Sequence, residues 1–202
     1  MLHCLSARAM FARLFCCGCC SSGPPPPTDE DIIEDAVALS ARAVSGSVKI
    51  SGMQLTGTGQ IKADQCILQD RSYWEVCVGH VGTGGGLAIG LVAPAHTLGE
   101  PLSEDGSDGA SWVLRSSSLD EPLHDGDILG IALDQGDYPV RLIFYLNGSV
   151  IRDMRGPVAE ATPILELIGA GVMVTANFGS ASFRHKPQNK GFEGLLRSRS
   201  LI

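Results

Sequence analysis

The run Gly126-Asp127-Ile128-Leu129-Gly130-Ile131-Ala132-Leu133-Asp134, followed by Leu142-Ile143-Phe144-Tyr145-Leu146-Asn147-Gly148, constrains this chain most. Asp125-Gly126 breaks the backbone before the first segment, and both segments have strand length and strand composition. Asn147-Gly148 supplies the two positive φ values that a two-residue type I′ turn requires. In the second segment Val140, Leu142, Phe144 and Leu146 face one way, and Ile143 and Tyr145 the other. A strand apolar on both sides lies in a sheet covered on both faces or on the core side of a sandwich.

The rest of the chain reads in the same terms. Tyr73–Val78 alternates Trp74, Val76 and Val78 on one side with Tyr73, Glu75 and Cys77 on the other. Further strands are expected near Val37–Ala41, where a helix is the alternative, and at Ile61–Leu68, Leu87–Val92 and Ser111–Arg115. Pro163–Ile168 and Gly171–Phe178 read as a final pair. Gly82–Gly86 reads as a loop, and Gly99–Ala110 as a long solvated one. Trp74 and Trp112 are expected in the core. Many short strands separated by turn residues predict an all-β, two-sheet antiparallel sandwich. An apolar fraction of 44% is enough for its core.

Three segments follow from composition. Residues 1–28 are rich in Cys and Pro, with Pro24–Pro27 as a stiff spacer, and are expected to form a flexible extension. Thr28-Asp29-Glu30-Asp31 could cap a short helical turn. The domain proper spans 36–196, and 197–202 is a C-terminal tail. Phe192, Leu195 and Leu196 predict that the chain beyond Arg184 folds back onto the sandwich.

Five of the seven cysteines fall within the first 20 residues. A secreted disulfide framework would spread them through the fold, so Cys66 and Cys77 read as buried free thiols in a reducing, cytoplasmic compartment. Cys16, Cys17, Cys19 and Cys20 stand beside Leu14 and Phe15, with Arg8 and Arg13 nearby. That setting suits S-acylation and peripheral membrane association. An unmodified reactive tail, a metal shared between chains and a mitochondrial transit segment are the other readings. No apolar run reaches the roughly 18 residues of a membrane span.

A net charge of −7 argues against nucleic acid as a partner. Gly82–Gly86 leads into a strand and lacks the Lys-Ser/Thr ending of a phosphate-binding loop. His80, His96, His124 and His185 lack metal-ligand spacing, and Ser107 and Ser111 sit in no nucleophile elbow. The chain is therefore expected to be non-catalytic, with no cofactor and no metal.

The ordered set Tyr73-Trp74-Glu75-Val76, Ala88-Ile89-Gly90-Leu91, Ser111-Trp112, Gly126-Asp127…Gly130…Asp134, Phe144-Tyr145-Leu146-Asn147-Gly148, Pro163-Ile164 and Asn177-Phe178-Gly179 resembles the SPRY family over about Ala36 to Leu196. The resemblance implies a β-sandwich that binds a peptide or partner protein through loops at one edge. Candidate partner-binding residues on loops and strand ends are Arg71, Asp105, Asp108, Arg115, Asp137 and Tyr138, with Tyr138 foremost. Asp127 and Asp134 are expected to accept turn N–H bonds, and Gly90 and Gly130 to permit close backbone approach. Glu75, an acid inside a strand, needs a partner, for which Arg71 or Arg115 is the candidate. The alternatives are a lectin-like sandwich for a glycan or small ligand, which the aromatic content of 5% disfavours, and a structural subunit of a larger assembly.

Overall fold

A computed structural model describes residue 37 and residues 39–188 and 191–196. The cysteine cluster, the proline spacer and the Thr28 cap lie outside the described residues. The strands are β1 (Leu39–Val44), β2 (Lys49–Ser51), β3 (Gln54–Thr56), β4 (Gly59–Ala63), β5 (Arg71–His80) and β6 (Gly86–Val92). They continue as β7 (Ser111–Arg115), β8 (Ile128–Asp134), β9 (Arg141–Leu146), β10 (Ser149–Arg155), β11 (Thr162–Ile168) and β12 (Met173–Asn177). Two antiparallel sheets result, one ordered β1-β4-β11-β6-β7 and the other β10-β9-β8-β5-β12-β3-β2. This is the expected all-β sandwich.

Asn147 (φ 50°) and Gly148 (φ 83°) make the β9–β10 turn, as their residue types require. Asn147 also ties the turn to the start of β8. Its Oδ1 accepts the Ile128 N–H at 2.9 Å, and its Nδ2 donates to Asp127 Oδ1 at 2.8 Å. The Gly-Asp at the head of one strand and the Asn-Gly at the foot of the next are thus one hydrogen-bonded unit.

The core lies between the sheets. Trp74, Val76 and Val78 of β5, Leu129, Ile131 and Leu133 of β8, and Leu142 and Phe144 of β9 meet Ile61, Ile89, Leu91 and Leu165 of the facing sheet. The opposite faces of the central strands are apolar too, and each is covered. Tyr73, Ala132, Ile143 and Tyr145 pack with Phe192 and Phe183 of the C-terminal segment. Ala88, Val92, Val113 and Ile164 pack with Leu98 and Leu102 of the loop 93–110. That loop is therefore not solvated throughout: Leu102 and His96 are buried in it, because β6, apolar on both faces, leaves a second surface to cover.

Several boundaries differ from the sequence expectation. β1 begins two residues later than Val37, which is itself buried. The strand expected over Ile61–Leu68 ends at Ala63, since the chain must leave one sheet to begin β5 in the other. Ile67 keeps one bridge, to Ala161, and Leu68 is exposed. β11 and β12 do not pair with each other; they lie in different sheets, and Gly169 (φ 85°) and Gly171 (φ 82°) turn the chain between them. Trp112 is only half-buried, as are the free thiols of Cys66 and Cys77. Cys77 points to the outer side of its sheet, where it lines a small cavity.

Gly90 and Gly130 serve close approach. A Cβ on Gly90 would collide with the Trp112 carbonyl, and one on Gly130 with the Tyr73 ring. Gly90 meets backbone, which cannot swing aside. Gly90→Ala is therefore expected to destabilise the fold by about 2 kcal/mol or more, read as a lower urea midpoint. An unchanged midpoint would show that β6 and β7 can separate without cost.

Candidate functional site

The register of β5 on β8 brings Arg71 opposite Asp134, and that of β8 on β9 brings Asp134 opposite Arg141. Arg71 Nε lies 3.2 Å from both Asp134 carboxylate oxygens, and its Nη2 lies 3.4 Å from Asp137 Oδ2. Asp134 Oδ1 also accepts the Gly136 N–H at 3.3 Å, the turn role expected of it. These contacts set the loop that presents Tyr138, whose surface is 85% exposed and which precedes Pro139 through a cis peptide bond. Tyr138 therefore does not pack on its own loop.

Neighbouring loops are tied to this one. Gln135 donates its N–H to Asp70 O at 2.7 Å, and its Nε2 to Gln69 O at 2.7 Å. Gln69 in turn donates to Gly194 O at 2.8 Å and accepts the Leu196 N–H at 2.9 Å. Ile67 bridges Ala161, and Gly156 N–H binds Val140 O. Among the described residues, four of the six exposed large apolar side chains sit on these joined segments: Leu68, Tyr138, Val158 and Leu196. Leu196 thus differs from Phe192 and Leu195, which are buried as expected. The result is a hydrogen-bonded set of loops that carries these apolar side chains and the Arg71–Asp137 pair.

Asp105, Asp108 and Arg115 lie elsewhere, on or beneath the loop 93–110. Asp105 accepts the Ser103 hydroxyl at 2.8 Å and the Ser107 N–H at 2.9 Å. Hydrogen bonds from the Ser107 hydroxyl and N–H, then from Ser103, pull its pKa down to about 2. Burial opposes ionisation of Asp108, yet the Ser111 hydroxyl and the Ala110 and Ser111 N–H groups outweigh it and lower its pKa. Both acids are engaged in shaping their own loop. Arg115 pairs with Glu166 at 3.0 Å and donates to Leu102 O at 3.1 Å, which holds the loop down on β7 and β11. Glu104 fastens the same loop to the other sheet through Arg152 at 3.0 Å. The sequence-based candidates therefore form two groups, Arg71, Asp137 and Tyr138 in one and Asp105, Asp108 and Arg115 in the other.

Glu75 takes neither Arg71 nor Arg115 as its partner. Its oxygens accept the N–H groups of Arg184 at 2.8 Å and His185 at 2.7 Å. The Tyr73 hydroxyl lies 3.1 Å from Glu75 Oε1 and 2.8 Å from His185 O, and its single proton is shared between them. Burial, and then the Glu75 charge, push the Tyr73 phenol well above its ordinary pKa. Where β12 ends opposite Glu75, the returning chain takes its place beside β5, with Tyr73 N–H bound to Glu193 O at 2.8 Å. Residues 183–188 and 191–196 thus form a strap built onto the sheet. The cue in the sequence was Glu75 itself, an acid in an apolar strand, but nothing local to it named a partner more than 100 residues away.

No family model matches the chain, and no curated protein matches it. Solved structures do. A human SPRY domain is 17% identical, with a TM-score of 0.52 over 69% of this chain and 100% of that one. The PSpry domain of TRIM65 is 14% identical, with a TM-score of 0.53 over 70% and 92%. The SPRY domain of human HERC1 is 14% identical, with a TM-score of 0.50 over 68% and 96%. The two covered sheets, the Asn-Gly turn tied to Gly-Asp and this likeness agree: the chain has the SPRY fold.

Proposed function

We propose that this sandwich is a non-catalytic protein-interaction module that binds a peptide or partner protein at the loop end carrying Arg71, Asp137 and Tyr138. The observation that supports this reading most is Tyr138, an exposed aromatic on the loop of the Arg71–Asp137 ion pair, which is hydrogen-bonded to the segments that carry exposed Leu68, Val158 and Leu196. Tyr and Arg are the residue types that dominate binding energy at interfaces, and grouped exposed apolar side chains mark interaction sites. In this reading Asp105, Asp108 and Arg115 act indirectly, by holding the loop 93–110 in shape. A lectin-like reading is weaker, because Trp74 is buried and Gly106 packs on the indole of Trp112, which leaves Tyr138 as the exposed aromatic among the described residues.

We further propose that Cys16, Cys17, Cys19 and Cys20 carry thioester-linked acyl chains, which would place the module at a cytoplasmic membrane surface. The support is their composition: four thiols in five residues beside Leu14 and Phe15 and near Arg8 and Arg13. Two or more chains supply the stable anchoring that one does not.

The first proposal predicts that Tyr138→Ala and Arg71→Gln each remove a defined set of co-purified proteins, by about tenfold or more, from the full-length chain in quantitative mass spectrometry. The Arg71 ion pairs are partly exposed and contribute under about 1 kcal/mol, so the fold survives both changes. An unaltered partner set in both variants would end the proposal. The second predicts hydroxylamine-sensitive lipid on these cysteines and release from membranes when all four become Ser. Free thiols on the cellular protein would contradict it.

A further inference from the structure

A cavity of about 560 Å³ opens between the β9–β10 turn and the C-terminal strap. Tyr145, Ser149 and Val150 form its sheet side, and Arg184, His185 and Lys186 form its strap side in unbroken succession. Among the described residues no Asp or Glu lines it, in a chain whose net charge is −7. Acids on the adjoining strands and turns have other partners. Glu75 holds the Arg184 and His185 N–H groups, Asp127 holds Asn147 Nδ2 and the His124 N–H, and Asp153 holds Arg141. Glu193 lies 3.5 Å from Lys186 but is 68% exposed, a contact weakened by solvent. Among the described residues no ion pair engages the Arg184 guanidinium.

The backbone of the strap beside the cavity is held in place. The two N–H bonds to Glu75, and the Tyr73 hydroxyl on His185 O, fix the backbone from which Arg184 and His185 project. A site ordered before binding loses less entropy on binding. A volume in the usual range for ligand pockets, about 300–1,000 Å³, exceeds what one carboxylate fills. A phosphate monoester carries about −1.5 to −2 at neutral pH, which balances more than one cation, and guanidinium matches phosphate oxygens in pairs. Beside the cavity runs β10, the outermost strand of its sheet, with Val150 and Ile151 exposed on it. An extended chain can lie along such an edge.

We propose that this cavity receives the phosphorylated side chain of an extended peptide segment of a partner protein. Arg184 and Lys186 hold the phosphate, Ser149 donates from the opposite wall, and Val150 contacts an apolar neighbour in the peptide. The proposal rests on reading the domain as an interaction module, and gives it a second contact surface apart from the Tyr138 end.

The test titrates the full-length protein by fluorescence anisotropy with a labelled peptide in which phosphoserine lies between Val and Ile. Its unphosphorylated twin is titrated alongside, and inorganic phosphate is the competitor. The phosphopeptide is expected to bind at least about tenfold more tightly than its twin. R184Q/K186Q and Ser149→Glu should each weaken it about tenfold or more with the melting temperature unchanged, and Asp120→Asn, at an exposed position outside both surfaces, should bind as the parent does. The side chains of Arg184, Lys186 and Ser149 face solvent, so these changes leave the core intact. Equal binding of the two peptides, or full binding by both cavity variants, overturns the proposal. So does displacement by inorganic phosphate at the peptide's own concentration, which would make this a site for the free anion. If the phosphopeptide fails while the Tyr138-dependent partners are still captured, the cavity assignment falls and the interaction reading stands.

Discussion

Glu75 is a carboxylate in the middle of a sheet, and the outer half of the domain is organised around the three groups that satisfy it. Left alone, a charge so buried would cost several kcal/mol. Two backbone N–H groups from the strap and the Tyr73 hydroxyl remove that cost, and in doing so they fix where the strap crosses. Phe183 and Phe192 can then cover Tyr73, Ile143 and Tyr145, which would otherwise leave apolar surface in water. The ring of Tyr73 stands edge-on to both Phe183 and Tyr145, at centroid separations of 5.0 and 6.1 Å.

The facing sheet meets the same demand with a loop instead of a strap. Leu98 and Leu102 cover β6 and β7, while Arg115, Gln60 and Glu166 form the polar layer that secures the loop. Once both outer faces are occupied, surface for another molecule is left at the strand ends and at the outer edge of the longer sheet. The Tyr138 loops occupy one such place. The cavity between the strap and the β9–β10 turn occupies another.

Much of this was legible in the sequence where the signal is local. Asn147-Gly148 gave its turn, the alternation of Trp74, Val76 and Val78 gave the inner face of β5, and Ser111–Arg115 is a strand with the expected bounds. What depends on distant chain was not legible. β10 has no apolar period, because its side chains are mostly exposed, and its existence rests on the turn before it. β11 and β12 look like neighbours in sequence, yet glycines at 169 and 171 send them to different sheets. Of the candidate site, Arg71, Asp137 and Tyr138 were each recognisable as loop or strand-end residues. Their union required the β5–β8 register, which no motif encodes. Asp105 and Asp108 read as partner-binding residues because nothing in the sequence showed that the serines around them would take up their carboxylates.

The most direct test of the central claim, that the Tyr138 end is where a partner binds, is site-specific photo-crosslinking in cells. Tyr138→p-benzoylphenylalanine is compared with the same substitution at Asp120, which is also exposed but lies on a different loop. The account predicts discrete crosslinked species of defined mass from position 138 and none of these from position 120. Identical patterns from the two positions, or no adduct from position 138 while the protein still co-purifies with its partners, would contradict it.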